Sequence, residues 1–377
     1  MNASTSRACT EGRRRGADPG RTGRVNIAVL LDGTWSDANT HTNIAQIDAR
    51  VPRRVGEVPQ AVCYIEGVGT GPFDRLQGGI LGAGLDDDIR EAYSFIGAHH
   101  SDDDQIHLIG YSRGAFAARS LAGMIAKCGI IRESELPVKA VFARYRDTNA
   151  PGLREMQEGE APARTAEDEL LLALSRLVRI RFLGVFDTVG SLGIPGGLGR
   201  LLNRRRYEFH DTRLSGLVDL ACHAVAIDEH RKQFAPTLWT SVPIPIPQHP
   251  TQVEQRWFVG EHVNVGGGGT AAPATDNPLS VLTREWIVDR AVGAGLVVEP
   301  PPLPLSGDEW AGPIYDFYGS LLGRLARLVP GTKIYLRPVR TTISEFLNES
   351  VIRRWRHGKP PYRPRNPYLE PWLREEG

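Results

Sequence analysis

Residues 106–114, Ile-His-Leu-Ile-Gly-Tyr-Ser-Arg-Gly, limit what this chain can fold into more than any other segment. A short apolar run, 106–109, predicts a strand. A run of small residues, 115–127, predicts a helix. Gly110-x-Ser112-x-Gly114 joins them with no room for a loop. A strand can pass into a helix over so few residues only through a sharp, strained turn. The serine stands at its apex and glycines stand where side chains would collide. Such a turn lifts the Ser112 hydroxyl clear of the sheet. The helix that starts there brings its positive dipole end and free N–H groups to the place where an oxyanion would develop. Ser112 is therefore the candidate nucleophile.

The rest of the chain alternates between strand and helix patterns. Residues 25–31 are a continuous apolar run suited to a parallel strand buried on both faces. Further strands are expected at 60–65, 178–186 and 255–259, and helices at 85–99, 137–146, 165–177 and 277–295. The apolar segment 217–226 reads equally as helix or strand. This alternation predicts an α/β fold: a doubly wound, mostly parallel sheet with helices on both faces. The expected organisation is a disordered tail over 1–23, a catalytic domain over 24–299 and a Pro-, Arg- and aromatic-rich extension over 300–377 packed on that domain. Within the domain, 133–178 reads as an insert or lid.

Composition bears on partners. The chain has 377 residues, 41% of them hydrophobic, enough for a large core, and a formal net charge of +1. It therefore carries no global field for nucleic acid, and no nucleic-acid partner is expected. The N-terminal tail lacks the apolar centre of a signal peptide, and no apolar run is long enough to span a membrane. A cytoplasmic location is the default expectation, with signal-independent export left open. Four cysteines, widely spaced and without a C-x-x-C pair, predict neither a disulfide framework nor a zinc site. No metal or cofactor is expected, and the nucleotide-binding glycine signatures are missing.

A serine nucleophile needs a base to take its proton and a carboxylate to orient that base. On the α/β-hydrolase pattern these follow in the order Ser, acid, His. Asp187 ends the strand after Ser112, and His262 follows the last clear strand, ahead of the glycine run 266–269. All three fall at carboxyl ends of strands, the edge where open parallel sheets build their sites. Asp228, at the end of 217–226, is the rival acid. The oxyanion hole is expected to use the N–H of Arg113 and one from the loop after the first strand, which carries Gly33 and Thr34. Asp32 would be a poor neighbour for a developing negative charge. It is expected to hold that loop by accepting its N–H groups.

Five motifs in this order resemble those of the DUF2235 family: Leu31-Asp32-Gly33-Thr34-Trp35, Gly110-Tyr111-Ser112-Arg113-Gly114-Ala115, Phe186-Asp187-Thr188-Val189-Gly190, Ala226-Ile227-Asp228-Glu229-His230-Arg231, and the stretch from Trp257 through Gly260-Glu261-His262 to Gly267. The resemblance covers about 25–295. It is similar to the α/β-hydrolase catalytic domain of the Tle1 phospholipase effectors of bacterial type VI secretion. It implies a serine esterase or phospholipase with Ser112 as nucleophile, His262 as base and Asp187 as acid. The chain departs from the family pattern at Val263-Asn264, where Ser-Asp is usual, so no carboxylate stands at 264. It also has little beyond the catalytic domain. The expected partners are a lipid or ester substrate and, transiently, a membrane surface. A catalytically silent binding protein, and a serine peptidase or thioesterase on the same fold, remain open as alternatives.

Overall fold

The computed structural model describes residues 24–33, 36, 40–56, 58–67, 81–190, 214–242, 249–268, 277–320, 323 and 334–376. The tail over 1–23 and Thr34 lie outside them. The strands are β1 (Asn26–Leu31), β2 (Arg54–Val55), β3 (Val58–Ile65), β4 (Gln105–Tyr111), β5 (Ile180–Phe186), β6 (Val218–Ala226), β7 (Gln252–Phe258) and β8 (Glu345–Leu347). Among the described residues they make one sheet in the order β2-β3-β1-β4-β5-β6-β7-β8. Every neighbouring pair is parallel except β2–β3. The ambiguous 217–226 segment is thus a central strand, and β8 adds an edge strand from the segment after residue 300.

The continuous apolar character of β1 has a direct structural consequence. Ile27, Val29 and Leu31 point into one core and Ala28 and Leu30 into another, so both faces are covered. Helices α2 (Leu81–His99) and α3 (Arg113–Cys128) cover the first face, with Ile89, Phe95, Leu121 and Ile125 fully enclosed. On the second face lie α1 (Asn43–Asp48) and α8 (Pro278–Gly293), through Ile44, Ile47, Ile287 and Ala291. Asn277 caps α8 by accepting the Leu279 N–H at 2.9 Å, and Pro278 stands at its first turn, where a missing N–H costs nothing. A third core at the β7–β8 edge joins Val225 and Trp257 to Leu347, Val351, Trp372 and Leu373. The last four belong to β8, α9 (Glu349–His357) and α10 (Leu369–Glu376).

Between α3 and β5 stand α4 (Val138–Arg146), α5 (Leu153–Gln157) and α6 (Ala166–Leu174). The expected 165–177 helix ends at Leu174, because Arg176 instead exchanges both backbone bonds with Ile130, at 2.9 and 3.0 Å. This insert is bound to the C-terminal end of α3. Ser175 donates to the Cys128 carbonyl at 2.6 Å, and the buried Arg144–Asp168 pair, at 2.5 Å, lies beside Cys128. Ser112 is at the opposite end of that helix, 16 residues or about 24 Å away. Cys128 and Cys222 are buried free thiols. No helix among the described residues is long and apolar enough to cross a membrane.

Candidate active site

The strand order reverses at β1. The chain steps from β1 to β3 on one side, then returns to lay β4 on the other. Parallel sheets open a crevice at such a point, outside the carboxyl ends of the two strands. Asp32 and Gly33 leave β1 there, and Ser112 leaves β4. Leu31 is in register with Gly110, and Tyr111 with Phe186, so the ends are level.

Ser112 has φ 57° and ψ −114°, a backbone conformation that a side-chain-bearing residue adopts only under strain, of about 1–3 kcal/mol. The neighbouring glycines show why the turn can be made. A Cβ on Gly110 would lie 2.4 Å from the Gly114 carbonyl oxygen. One on Gly114 would lie 2.2 Å from the oxygen of Leu31 and 2.5 Å from that of Asp32. The Ser112 N–H remains tied to the sheet, donating to the Phe186 carbonyl at 3.0 Å.

Three of the residues singled out from the sequence meet here. Ser112 Oγ lies 2.8 Å from His262 Nε2, and His262 Nδ1 lies 2.6 Å from Asp187 Oδ2. Their residual exposures are 7%, 4% and 0%, so the chain of hydrogen bonds runs from a near-surface hydroxyl into the interior. His262 opens the short helix α7 (His262–Gly266), where the sequence suggested only a glycine-rich loop. Its ring sits between Tyr111 and Phe234, with centroids 4.9 and 4.8 Å away. Burial by itself would push the Asp187 carboxyl up. The Arg337 guanidinium and the His262 ring outweigh it and hold the group well below the usual carboxylate range. The Asp187 backbone is also unusual, with φ 39°, and is fixed by its N–H donating to the Ala224 carbonyl at 2.7 Å.

The structure does not bring Asp228 to the histidine. Its carboxylate accepts the Gly260 N–H at 2.8 Å and the Tyr362 hydroxyl at 3.1 Å, and burial raises its pKa. Asp32 is a clamp for its loop: it accepts from the Gly33 N–H at 2.6 Å, the Thr42 hydroxyl at 2.5 Å and the Tyr64 hydroxyl at 2.7 Å. The Gly33 N–H is therefore engaged by Asp32 rather than turned to a ligand. Arg113 is the first residue of α3, so its N–H has no acceptor within the helix. Asn264 is buried on α7 and bonds to 313–315 rather than to the histidine ring.

Two features were not singled out from the sequence, although Glu229 and Arg231 stand within one of the five motifs. Glu229, fully buried, accepts the His262 N–H at 3.3 Å. Burial would raise its pKa, but Arg231, bonded through Nε and Nη2 at 2.8 and 2.6 Å, brings it below the ordinary value. Arg337 places Nη1 and Nη2 on the two oxygens of Asp187 at 2.6 and 2.9 Å. A buried carboxylate requires a counter-charge, but nothing local distinguishes Arg337 from the other arginines of the chain.

The chain is similar to an uncharacterized protein of Saccharomyces cerevisiae, 29% identical over 242 residues that make up 58% of this chain and 33% of that protein. Similar solved structures include the Tle1 effector bound to the VgrG spike of the type 6 secretion system, with 18% identity, a TM-score of 0.37, and 68% of this chain and 53% of that one covered. Another is an uncharacterized protein from Pseudomonas aeruginosa, with 16% identity, a TM-score of 0.40, and coverage of 74% and 48%. The chain thus spans about a third of the yeast relative and about half of each of these two structures. Residues 25–290 match the family described as the catalytic domain of the Tle1-like phospholipase effectors of type VI secretion, and the chain belongs to that family.

Proposed function

We propose that this chain is a serine hydrolase that cleaves carboxylic esters, with lipid and phospholipid esters as the favoured substrates. The observation that carries this reading is the continuous Ser112–His262–Asp187 hydrogen-bonded line, built on a strained turn at the sheet's switch point. In this mechanism His262 Nε2 takes the Ser112 proton as Oγ attacks the ester carbonyl. Asp187 holds Nδ1–H and so fixes the tautomer that leaves Nε2 free to accept. The Arg113 N–H and the α3 dipole face the developing oxyanion. Collapse of the tetrahedral species expels the alcohol, protonated by His262, and leaves an acyl group on Ser112. Water activated by the same imidazole then releases the acid. Membership of the phospholipase effector family supports the lipid preference.

The test is a fluorophosphonate probe read by intact-protein and peptide mass spectrometry, followed by a panel of phospholipids, simple esters, acyl thioesters and casein. A single adduct on Ser112, absent in Ser112→Ala and His262→Ala, with turnover of phospholipid or ester, is expected. A folded wild-type protein that forms no adduct would overturn the reading. Turnover confined to thioesters or casein would move the substrate class.

A further inference from the structure

The Asp187 carboxylate is fully enclosed, and every in-plane acceptor position on it is taken. Oδ1 accepts from the Ala226 N–H at 3.0 Å and from Arg337 Nη1 at 2.6 Å, and Oδ2 faces His262 Nδ1 at 2.6 Å and Arg337 Nη2 at 2.9 Å. Arg337 is itself 1% exposed. Its guanidinium is locked from the far side, with Nη1 donating to the Ala226 carbonyl at 2.8 Å and Nη2 to the Phe234 carbonyl at 2.6 Å. The backbone that delivers it is held as well. Asn366 donates to the Arg337 carbonyl at 2.7 Å, and Tyr335, two residues earlier, donates to the His230 carbonyl at 2.8 Å. Arg337 lies beyond residues 25–290, the part of the chain that matches the family's catalytic domain.

We propose that Arg337 is a positioning residue of the hydrolase site, through which the segment after the family's catalytic domain neutralises the Asp187 charge and sets the lower pH limit of Ser112 activation. This rests on the serine-hydrolase reading above. In a triad whose acid carries an uncompensated charge, that charge draws a proton onto the imidazole as the pH falls, and the base is lost. Here the hydrogen bond that orients the ring is kept, while much of the charge behind it is cancelled by a forked cation. The Arg337 fork sits on the same carboxylate that holds His262 Nδ1, so its charge is felt directly behind the ring.

The other ionisable groups around the pair do not supply this effect. Glu229 is paired with Arg231. Tyr111 packs against the His262 ring, centroids 4.9 Å apart, and donates to the His262 carbonyl at 3.3 Å. On the Asp187 side His223 accepts from the Thr188 N–H at 3.0 Å and burial keeps it neutral, with a pKa near 3. Glu261 stands at the start of α7, and burial pushes its carboxyl up to about 7, so it must be controlled for.

The experiment measures the rate of fluorophosphonate adduct formation on Ser112 from about pH 4 to about pH 9. It compares wild type, Arg337→Met and Arg337→Lys, each also in a Glu261→Gln background, with folding checked by circular dichroism. Arg337→Met is expected to move the acid-side midpoint up by about one pH unit or more, in both backgrounds. Arg337→Lys keeps the charge and gives up the fork. It is expected to label more slowly with its midpoint unmoved. A role limited to holding the fold would lower the labelled fraction or the melting temperature and leave the Met midpoint in place, and that result overturns the proposal. Should Arg337→Met fail to fold, Arg337→Gln, which keeps hydrogen-bond donors without the charge, is read in its place: a midpoint raised by about one unit sustains the proposal and an unmoved one overturns it. Absence of any adduct in wild type would instead remove the serine-hydrolase reading on which the proposal stands.

Discussion

Asn264 Nδ2 donates to the Pro313 carbonyl at 3.1 Å, tying α7, the helix that carries His262, to the extension beyond α8. On its other side Oδ1 accepts from the Glu261 and Tyr315 N–H groups, each at 3.0 Å. An aspartate could keep the two acceptor roles but would set its second oxygen against a carbonyl. The residue that departs from the family pattern is thus an anchor for the helix that carries His262. Asn264→Asp is expected to lose about 1–3 kcal/mol of stability, read as a lower midpoint in urea, with no gain in ester turnover per folded molecule. A faster Asn264→Asp enzyme would show that a carboxylate at this position serves the chemistry.

Asp187 and Asp228 can be told apart by paired amide substitutions. Asp187→Asn is expected to lower kcat by roughly 10⁴-fold, since the amide favours the wrong imidazole tautomer. It also leaves Arg337 without its partner, so some loss of stability accompanies it. Among the described residues the Asp228 carboxylate accepts from Gly260 and Tyr362, and burial already favours its neutral form. Asp228→Asn is expected to retain activity within about tenfold, because it changes no group on the histidine. Steady-state kinetics on any turned-over ester decides it, and equal losses in the two variants would contradict the assignment.

Glu261 gives the stability a pH dependence. Burial, and then the nearby Glu229 charge, push its carboxyl up from 4.5 to about 7. An acid whose folded-state pKa is raised favours the folded state while protonated. Its contribution is fully present below about pH 4.5 and is lost as the pH rises through about 7. Glu261→Gln removes the titration. Relative to wild type it is expected to gain stability steadily across that window, by up to roughly 3 kcal/mol. Urea midpoints measured at intervals through the window test this, and a difference that does not change with pH would refute it.

The Arg144–Asp168 pair offers a control remote from the serine. Its side chains are 6% and 3% exposed, and it joins α4 to α6 at the far end of α3. Arg144→Ala leaves the Asp168 charge buried without its cation and is expected to cost about 3–5 kcal/mol. The rate of Ser112 labelling per folded molecule should stay within about twofold, because the change is distant and shares no partner with Ser112, His262 or Asp187. A large fall in labelling of the folded variant would instead couple this insert to the site.

Sequence by itself determined the elements that depend on local sterics and periodicity. Gly110 and Gly114 are readable because a strand can turn into a helix there only if two side chains are missing. β1 is readable because only a strand buried on both faces is apolar without interruption. Ser112, Asp187 and His262 could be picked out because each stands just after a strand pattern, and parallel strands bring their carboxyl ends together. Other features were decided only in three dimensions. The segment 217–226 became β6 because it had parallel partners on both sides, which no local pattern specifies. Asp187 rather than Asp228 faces the imidazole because the two carboxylates, similarly placed along the chain, were satisfied by different neighbours. Arg337 reaches Asp187 across 150 residues of sequence. The burial of one charge demands another at contact distance, and which arginine answers that demand is settled by how the chain is routed, a property of the whole fold.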